Sequence, residues 1–574
     1  MLMSSMVSCR MHQRAECRLN LCGALVVRRA AESREEIDKQ LAWHGAQIAL
    51  LKAKRNALAP ISVLPNELMI RIFTIFAVEF DALFDLKWTK IIYVCRHWHA
   101  FALAAHPLWS YIDLSSGQIP DRLYQQLRRS GTAPLSLKIP PYGGSYTDLI
   151  LSNSERIREL DLESDAQQVY SVINGLSIHN FPILSSLSLN PGHQPEEGLP
   201  GDFVLALSDA LFDGRLPSLR QLKLVYIAFP SRLVSGLTTL SLTECHDSST
   251  SLLPILCDLL SMLSSCPRLS WLELDPIPAL TLNQDLIVVD LPELERLCLD
   301  GDVASCTALL NHLQTPPRTL MTLFPSDAHS AISVRDLLVP LHRHIQRLGA
   351  AEKPLLFHID RGPTHCTLAF CRGTVLHDSF NCDSARALSL NSHPSTEGAL
   401  RQIMTKFLKA IPESITHLDA CSASDLRDVS WKNMMSLLPA LETVFVLVHS
   451  SATLCLQAPT QIEALYAAQP TFPRIRHLHL CALRNTEEDA AARVRTLLEV
   501  YVKARFTNGT PLKTLEIEDK YHRIASQTPA GESLDRMFAL LGGKILRNGI
   551  VYDPVKIMQQ REEWAAFQRE NTIE

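Results

Sequence analysis

One short pattern recurs along most of this chain and limits its fold more than any other feature. It is an apolar residue, two spacers, an apolar residue, one spacer and an apolar residue. It appears at Ile157-x-x-Leu160-x-Leu162, Leu184-x-x-Leu187-x-Leu189, Leu219-x-x-Leu222-x-Leu224, Leu237-x-x-Leu240-x-Leu242, Leu269-x-x-Leu272-x-Leu274 and Leu294-x-x-Leu297-x-Leu299. It returns at Ala385-x-x-Leu388-x-Leu390, Ile415-x-x-Leu418-x-Ala420, Leu441-x-x-Val444-x-Val446, Ile475-x-x-Leu478-x-Leu480 and Leu512-x-x-Leu515-x-Ile517. Inside each match, apolar and polar residues alternate, as in a short strand with one buried face. No single strand of this kind can bury its leucines alone; a stack in which each unit covers the next can. The central residues are separated by 27, 35, 18, 32 and 25 positions up to Leu297, and by 30, 26, 34 and 37 after Leu388.

Prolines precede several matches, at Phe181-Pro182, Leu216-Pro217, Cys266-Pro267, Leu291-Pro292, Leu438-Pro439 and Phe472-Pro473. Proline cannot continue a helix, so each marks the end of a connecting segment. Leu252–Leu263 and Ala490–Val502 have the composition of such connecting helices. The expected class is α/β, with an irregular repeat solenoid over 130–530. Its stretch at about 300–384 lacks clean matches but holds strand-like runs at Leu320–Phe324, Leu355–Ile359 and Thr367–Phe370. A helical cap is expected over 531–574, with helices at Leu534–Leu541 and Val555–Phe567.

The N-terminal part reads differently. Residues 1–31, with five arginines against the single acid Glu16, are expected to be a disordered tail, although that composition also suits a mitochondrial presequence. Over 32–60, Ile37, Leu41, His44, Ile48, Leu51, Arg55 and Leu58 follow the four-three spacing of a heptad seam. It predicts a solvated helix leaning on its neighbour, with self-pairing as the alternative. Over 61–114, Leu64-Pro65-Asn66-Glu67 opens a helix with one stripe of Leu68, Ile72 and Ile75 and another of Met69, Phe73 and Phe76. A second helix is expected to carry Ile91, Val94, Cys95, Trp98 and Ala102, stopped by Pro107 before Leu108-Trp109. About fifty residues make only a small core, so apolar surface this wide calls for a covering partner.

Composition excludes several classes of function. The formal net charge is −5 with no visible basic face, which disfavours nucleic acid as a partner. No run is long and apolar enough to span a membrane. The 15 cysteines are odd in number and scattered, with no C-x-x-C; a reducing compartment, cytoplasmic or nuclear, is expected. Phosphate-binding glycine loops, H-E-x-x-H and G-x-S-x-G are all missing, and no nucleophile stands out. His477-x-His479 puts two imidazoles on one strand face without a third ligand, so a solvated pair is expected rather than a metal site. Neither a cofactor nor a catalytic role is expected.

The set Leu64-Pro65-x-Glu67-Leu68, Ile72-Phe73, Val94-Cys95-x-x-Trp98 and Pro107-Leu108-Trp109 resembles an F-box. Combined with the repeat pattern, whose spacing is near that of leucine-rich repeats, the chain resembles the large fungal families of F-box proteins with C-terminal leucine-rich repeats. The resemblance implies a helical unit that binds the Skp-family adaptor of SCF-type cullin–RING ubiquitin ligases. Leu64, Pro65, Leu68, Ile72, Phe73, Val94, Cys95, Trp98 and Trp109 would be its contact or supporting positions. It also implies that a protein target is held on the concave strand face of a horseshoe. The outward candidates there are Trp271, Glu273, Arg296, His417, Asp419, His477 and His479. The alternative is a leucine-rich scaffold working outside any ligase.

Overall fold

The computed structural model describes residues 33–114, 120–141, 146–192, 205–207, 215–228, 235–243, 256–277, 287–329, 332, 334–348, 353–361, 365–372, 386–393, 397–409, 414–422, 434–448, 474–482, 488–518, 537, 539–541, 543–547, 550–551 and 559. The tail at 1–31 lies outside these residues, as does most of the cap expected at 531–574. The chain divides into two compact units: Met1–Gly143 with Arg156–Arg158, and Gly144–Glu155 with Glu159–Glu574.

In the first unit, a helix at 33–57 leads through a short 3-10 turn at Pro60–Val63 to the helix Asn66–Glu79. That helix is apolar on almost every side, so its own sequence does not choose which stripe to bury. The choice falls on Met69, Phe73 and Ala77, which meet Trp88, Ile91, Ala102, Leu108 and Trp109 in one core. Phe73 lies edge-on to Trp98 at 4.9 Å and to Phe101 at 5.7 Å, and Trp88 lies edge-on to Trp109 at 4.9 Å. The buried Trp109 indole donates to the Ala102 carbonyl at 2.8 Å, so its polar atom is satisfied.

The single second helix expected from Ile91 to Ala102 is two elements, a 3-10 segment Lys87–Tyr93 and an α-helix Arg96–Ala104. Cys95 separates them. Its backbone is extended, and its Sγ accepts the Trp98 N–H at 3.5 Å, which caps the helix. The strands Tyr111–Asp113 and Leu135–Ile139 pair in parallel and belong to this first unit.

The second unit is built on a long, mostly parallel sheet with helices in many of its connections. In all eleven template matches the last two apolar positions, from Leu160 and Leu162 to Leu515 and Ile517, fall on its strands. Their leucines stand in register from strand to strand: Leu160, Leu187, Leu222, Leu240, Leu272 and Leu297 form one row, and Leu162, Leu189, Leu224, Leu242, Leu274 and Leu299 the next. Each of these leucines is at most 1% exposed, while the alternate positions are mostly polar, Trp271 and Cys298 excepted. The prolines have a more specific role than ending helices. The template leucine N–H bonds back three residues, as in Leu219 to Leu216 (3.2 Å), Leu269 to Cys266 (3.0 Å) and Leu294 to Leu291 (3.2 Å), placing each proline second in a tight turn.

Within 300–384, three strands join the same sheet. Leu320–Pro325 pairs in parallel with Arg296–Gly301 and with Arg386–Ser392. Cys366–Cys371 then runs antiparallel between Arg386–Ser392 and Leu356–Arg361, and Leu356–Arg361 pairs in parallel with His417–Ser422. The inward row passes straight through this reversal, from Leu297 to Met321, Leu388, Phe370, Phe357 and Leu418. It continues to Val444, Leu478, Leu515 and Ile545, the last on a strand Lys544–Arg547 within the interval where a helical cap was expected.

One buried side chain makes this stack sensitive to acid. His344, in the helix Leu338–Gln346, is buried with Nε2 3.2 Å from the Thr319 carbonyl. Burial pushes its pKa from 6.5 down to about 4; the Thr319 bond opposes this, and the nearby Arg372 and Arg347 charges add to it. The folded protein therefore holds a neutral imidazole that an unfolded chain protonates more readily. Its contribution is fully present above pH 6.5 and is lost as pH falls towards 4. The total lost is on the order of 3 kcal/mol. His344→Gln, which keeps a donor without titrating, is expected to flatten the slope of urea midpoint against pH over that window; an unchanged slope would refute the assignment.

Candidate functional site

Two surfaces contain the residues singled out from sequence. On the first unit, the nine positions separate by burial. Phe73 and Trp109 are sealed in the core at 3% and 4% exposure, and Leu64, Cys95 and Trp98 are half-buried. These five brace the unit; Phe73 and Trp109 in particular cannot be contact residues. Pro65, Leu68, Ile72 and Val94 are exposed. Beside Leu68 (45%) and Ile72 (39%), the same helix exposes Ile75 (54%) and Phe76 (41%). The sequence places these last two on separate stripes and calls for a cover over the excess apolar surface, without saying which stripe is left outside. The signal was present, because residues one step round from a buried i, i+4, i+8 line must face elsewhere.

On the second unit, Trp271, Glu273 and Arg296 come together. Trp271 and Arg296 are register partners on adjacent strands, with the guanidinium 5.1 Å from the centre of the half-exposed indole. Glu273 accepts a hydrogen bond from Ser241 at 2.7 Å. Cys298 sits opposite Glu273 in the register. Burial, reinforced by the Glu273, Asp275 and Asp300 carboxylates, pushes its thiol up to about 12, so it stays protonated and unreactive at neutral pH.

His417, Asp419, His477 and His479 form a separate patch. Five strand-to-strand steps separate Arg296–Gly301 from His417–Ser422, roughly 24 Å at sheet spacing. Asp419 and His479 are both only 6% exposed, so they are not the open contact positions expected of them. Asp419 is occupied instead: His358 Nδ1 lies 2.8 Å from Oδ2, and the Cys421 N–H bonds Oδ1 at 3.0 Å. Burial alone would raise the Asp419 pKa, but the His358 contact and the Cys421 bonds outweigh it and hold the carboxyl below the ordinary range. Register places Phe445 between Asp419 and His479, and His479 Nδ1 is 3.3 Å from Glu516. His417 and His477 are the accessible pair. Burial lowers both pKa values; His477 adds to the effect at His417, the Lys513 and Arg476 charges add to it at His477, and Glu442 opposes it at both. Among the described residues, no three His, Cys, Asp or Glu side chains are grouped to hold a metal ion. No described helix is long and apolar enough to cross a membrane.

No family model matches the sequence, and no curated protein matches it. Among solved structures, the chain is similar to the leucine-rich repeat-containing protein LegL7 from Legionella pneumophila. The match has 12% identity and a TM-score of 0.22, and it covers 63% of this chain and 96% of that chain. The fold of the second unit is carried by its own in-register strand rows. It is a leucine-rich-repeat-like stack.

Proposed function

We propose that this chain is the target-recognition subunit of an SCF-type cullin–RING ubiquitin ligase. Its helical unit binds the Skp-family adaptor, and the polar face of its strand stack binds a protein target. Ubiquitin transfer belongs to other subunits, and this chain contributes position, raising the local concentration of target lysines. The observation that carries the reading is the exposed line Leu68, Ile72, Ile75 and Phe76 on a unit whose core is already filled by Met69, Phe73, Trp88 and Trp109. A contiguous apolar face on a small soluble unit marks a binding surface. On the stack, the Trp271–Arg296 pair and the His417–His477 pair are the contact candidates. The second reading, a scaffold acting outside any ligase, draws on the repeat stack alone.

Capture by the purified Skp-family adaptor separates the two. Leu68→Asp with Ile72→Asp changes only exposed side chains and is expected to weaken adaptor binding by about two orders of magnitude, with helix content unchanged. Trp98→Ala is unsuitable for this purpose because Trp98 packs on Phe73. If the folded, intact chain captures no adaptor, the ligase role is wrong and the scaffold remains.

A further inference from the structure

Helix 33–57 has Ile37, Leu41, His44, Ile48, Leu51 and Arg55 along one seam, and the apolar members are all more than half exposed: 54% for Ile37, 64% for Leu41, 53% for Ile48 and 64% for Leu51. Other residues of the helix turn towards its own unit across an open cleft, and of these Lys52, Ala53 and Ala57 are themselves exposed. Ala49, Lys52, Ala53, Asn56 and Ala57 line a cleft of about 370 Å³ opposite Val94, Cys95, Arg96 and His97. At 3.6 residues per turn, that small-residue face lies roughly 120–140° round the helix from the seam. The side turned towards the unit is therefore not the heptad seam, which stands uncovered.

We propose that helix 33–57 pairs with the same helix of a second copy of this chain, and that the pair is antiparallel. Seam chemistry decides the direction. In a parallel pair Arg55 would face Arg55 and His44 would face His44, stacking like groups in the buried layer. Reversing one helix about a centre at Ala46 sets Leu41 against Leu51, His44 against Ile48, and Ile37 against Arg55. The same reversal brings the start of the helix, where Glu35, Glu36 and Asp38 outnumber Arg34 and Lys39, alongside the basic end, Lys52, Lys54 and Arg55. Arg55 then leaves the seam between two carboxylates of the partner, its stem covering Ile37. Glu35 already holds Lys39 at 2.9 Å one turn on, which leaves Glu36 and Asp38 as the acids for the partner's arginine. The pairing uses none of the residues of the Leu68–Phe76 face.

Sedimentation equilibrium of the full chain tests this, and a dimer at micromolar concentration is expected. Leu41→Asp with Leu51→Asp removes four leucines from each pair and is expected to raise the dissociation constant at least about a hundredfold. Since aspartate in the seam also weakens the helix itself, charge reversal provides the second arm. Arg55→Glu is expected to weaken the dimer about tenfold, and Arg55→Glu with Glu36→Lys and Asp38→Lys to restore it, with helix content by circular dichroism unchanged. Any of three results overturns the proposal: a monomer at every concentration, including one whose seam amides are protected by the chain itself; a dimer indifferent to Leu41 and Leu51; or a charge reversal that is not rescued.

Discussion

Asp419→Ala is expected to destabilise the strands around it by about 3–5 kcal/mol, the cost of breaking one side of a buried pair. The carboxylate is 6% exposed and bridges two strands, taking His358 Nδ1 at 2.8 Å and the Cys421 N–H at 3.0 Å. Alanine leaves the buried imidazole and the backbone donor without that acceptor, in a place water reaches poorly. Hydrogen exchange reads the effect locally. Amides in Leu356–Arg361 and His417–Ser422 should lose two to three orders of magnitude of protection. Amides in Gln221–Val225, many strands away, should barely change. His358→Leu with Asp419→Leu should recover much of the loss, because an apolar pair of similar shape has no charge to satisfy. Protection unchanged in Asp419→Ala would show that the pair holds nothing together.

That pair also shows where the sequence stops being readable. The eleven template matches found their strands because the information is local: five or six residues with strict alternation identify a buried face wherever they occur. His358 and Asp419 are 61 residues apart, and nothing near either one announces the other. His358 lies in the Leu355–Ile359 run, recognisable as a strand from its apolar content, but its partner depends on a strand order that the chain does not follow. The same reason hid the reversal at Cys366–Cys371. Its strand looks like any other short apolar run, and only pairing distinguishes parallel from antiparallel. In the helical unit the limit is of another kind. Asn66–Glu79 is so evenly apolar that periodicity offers two stripes. Trp88 and Trp109, later in the chain, select the one that is buried and thereby leave Leu68, Ile72, Ile75 and Phe76 on the surface.

Phe370→Ala is the change with the widest expected consequence for the stack. Phe370, Phe357 and Phe407 are each at most 1% exposed; Phe370 stacks on Phe407 with ring centroids 4.6 Å apart and lies 5.3 Å from Phe357. They join three elements: the reversed strand, its neighbour Leu356–Arg361, and the helix Glu397–Lys409. Truncating a buried phenylalanine costs about 3–5 kcal/mol, a total that includes the lost ring contacts. In most proteins that loss lowers one cooperative transition. Here the strands form a nearly one-dimensional stack, in which each unit is held by its neighbours. The reversed strand connects the strands from Ile157–Glu163 through Arg386–Ser392 with those from Leu356–Arg361 through Thr514–Glu518. Weakening it removes the coupling between two arrays that are each internally paired. The expected result is a urea transition that splits in two, with Cys366–Cys371 and Leu356–Arg361 exchanging first and the Leu160–Leu297 rows last. Phe370→Leu fills most of the volume and should keep a single transition at a lower midpoint. A single unsplit transition in Phe370→Ala would mean that the arrays are coupled through contacts other than this strand.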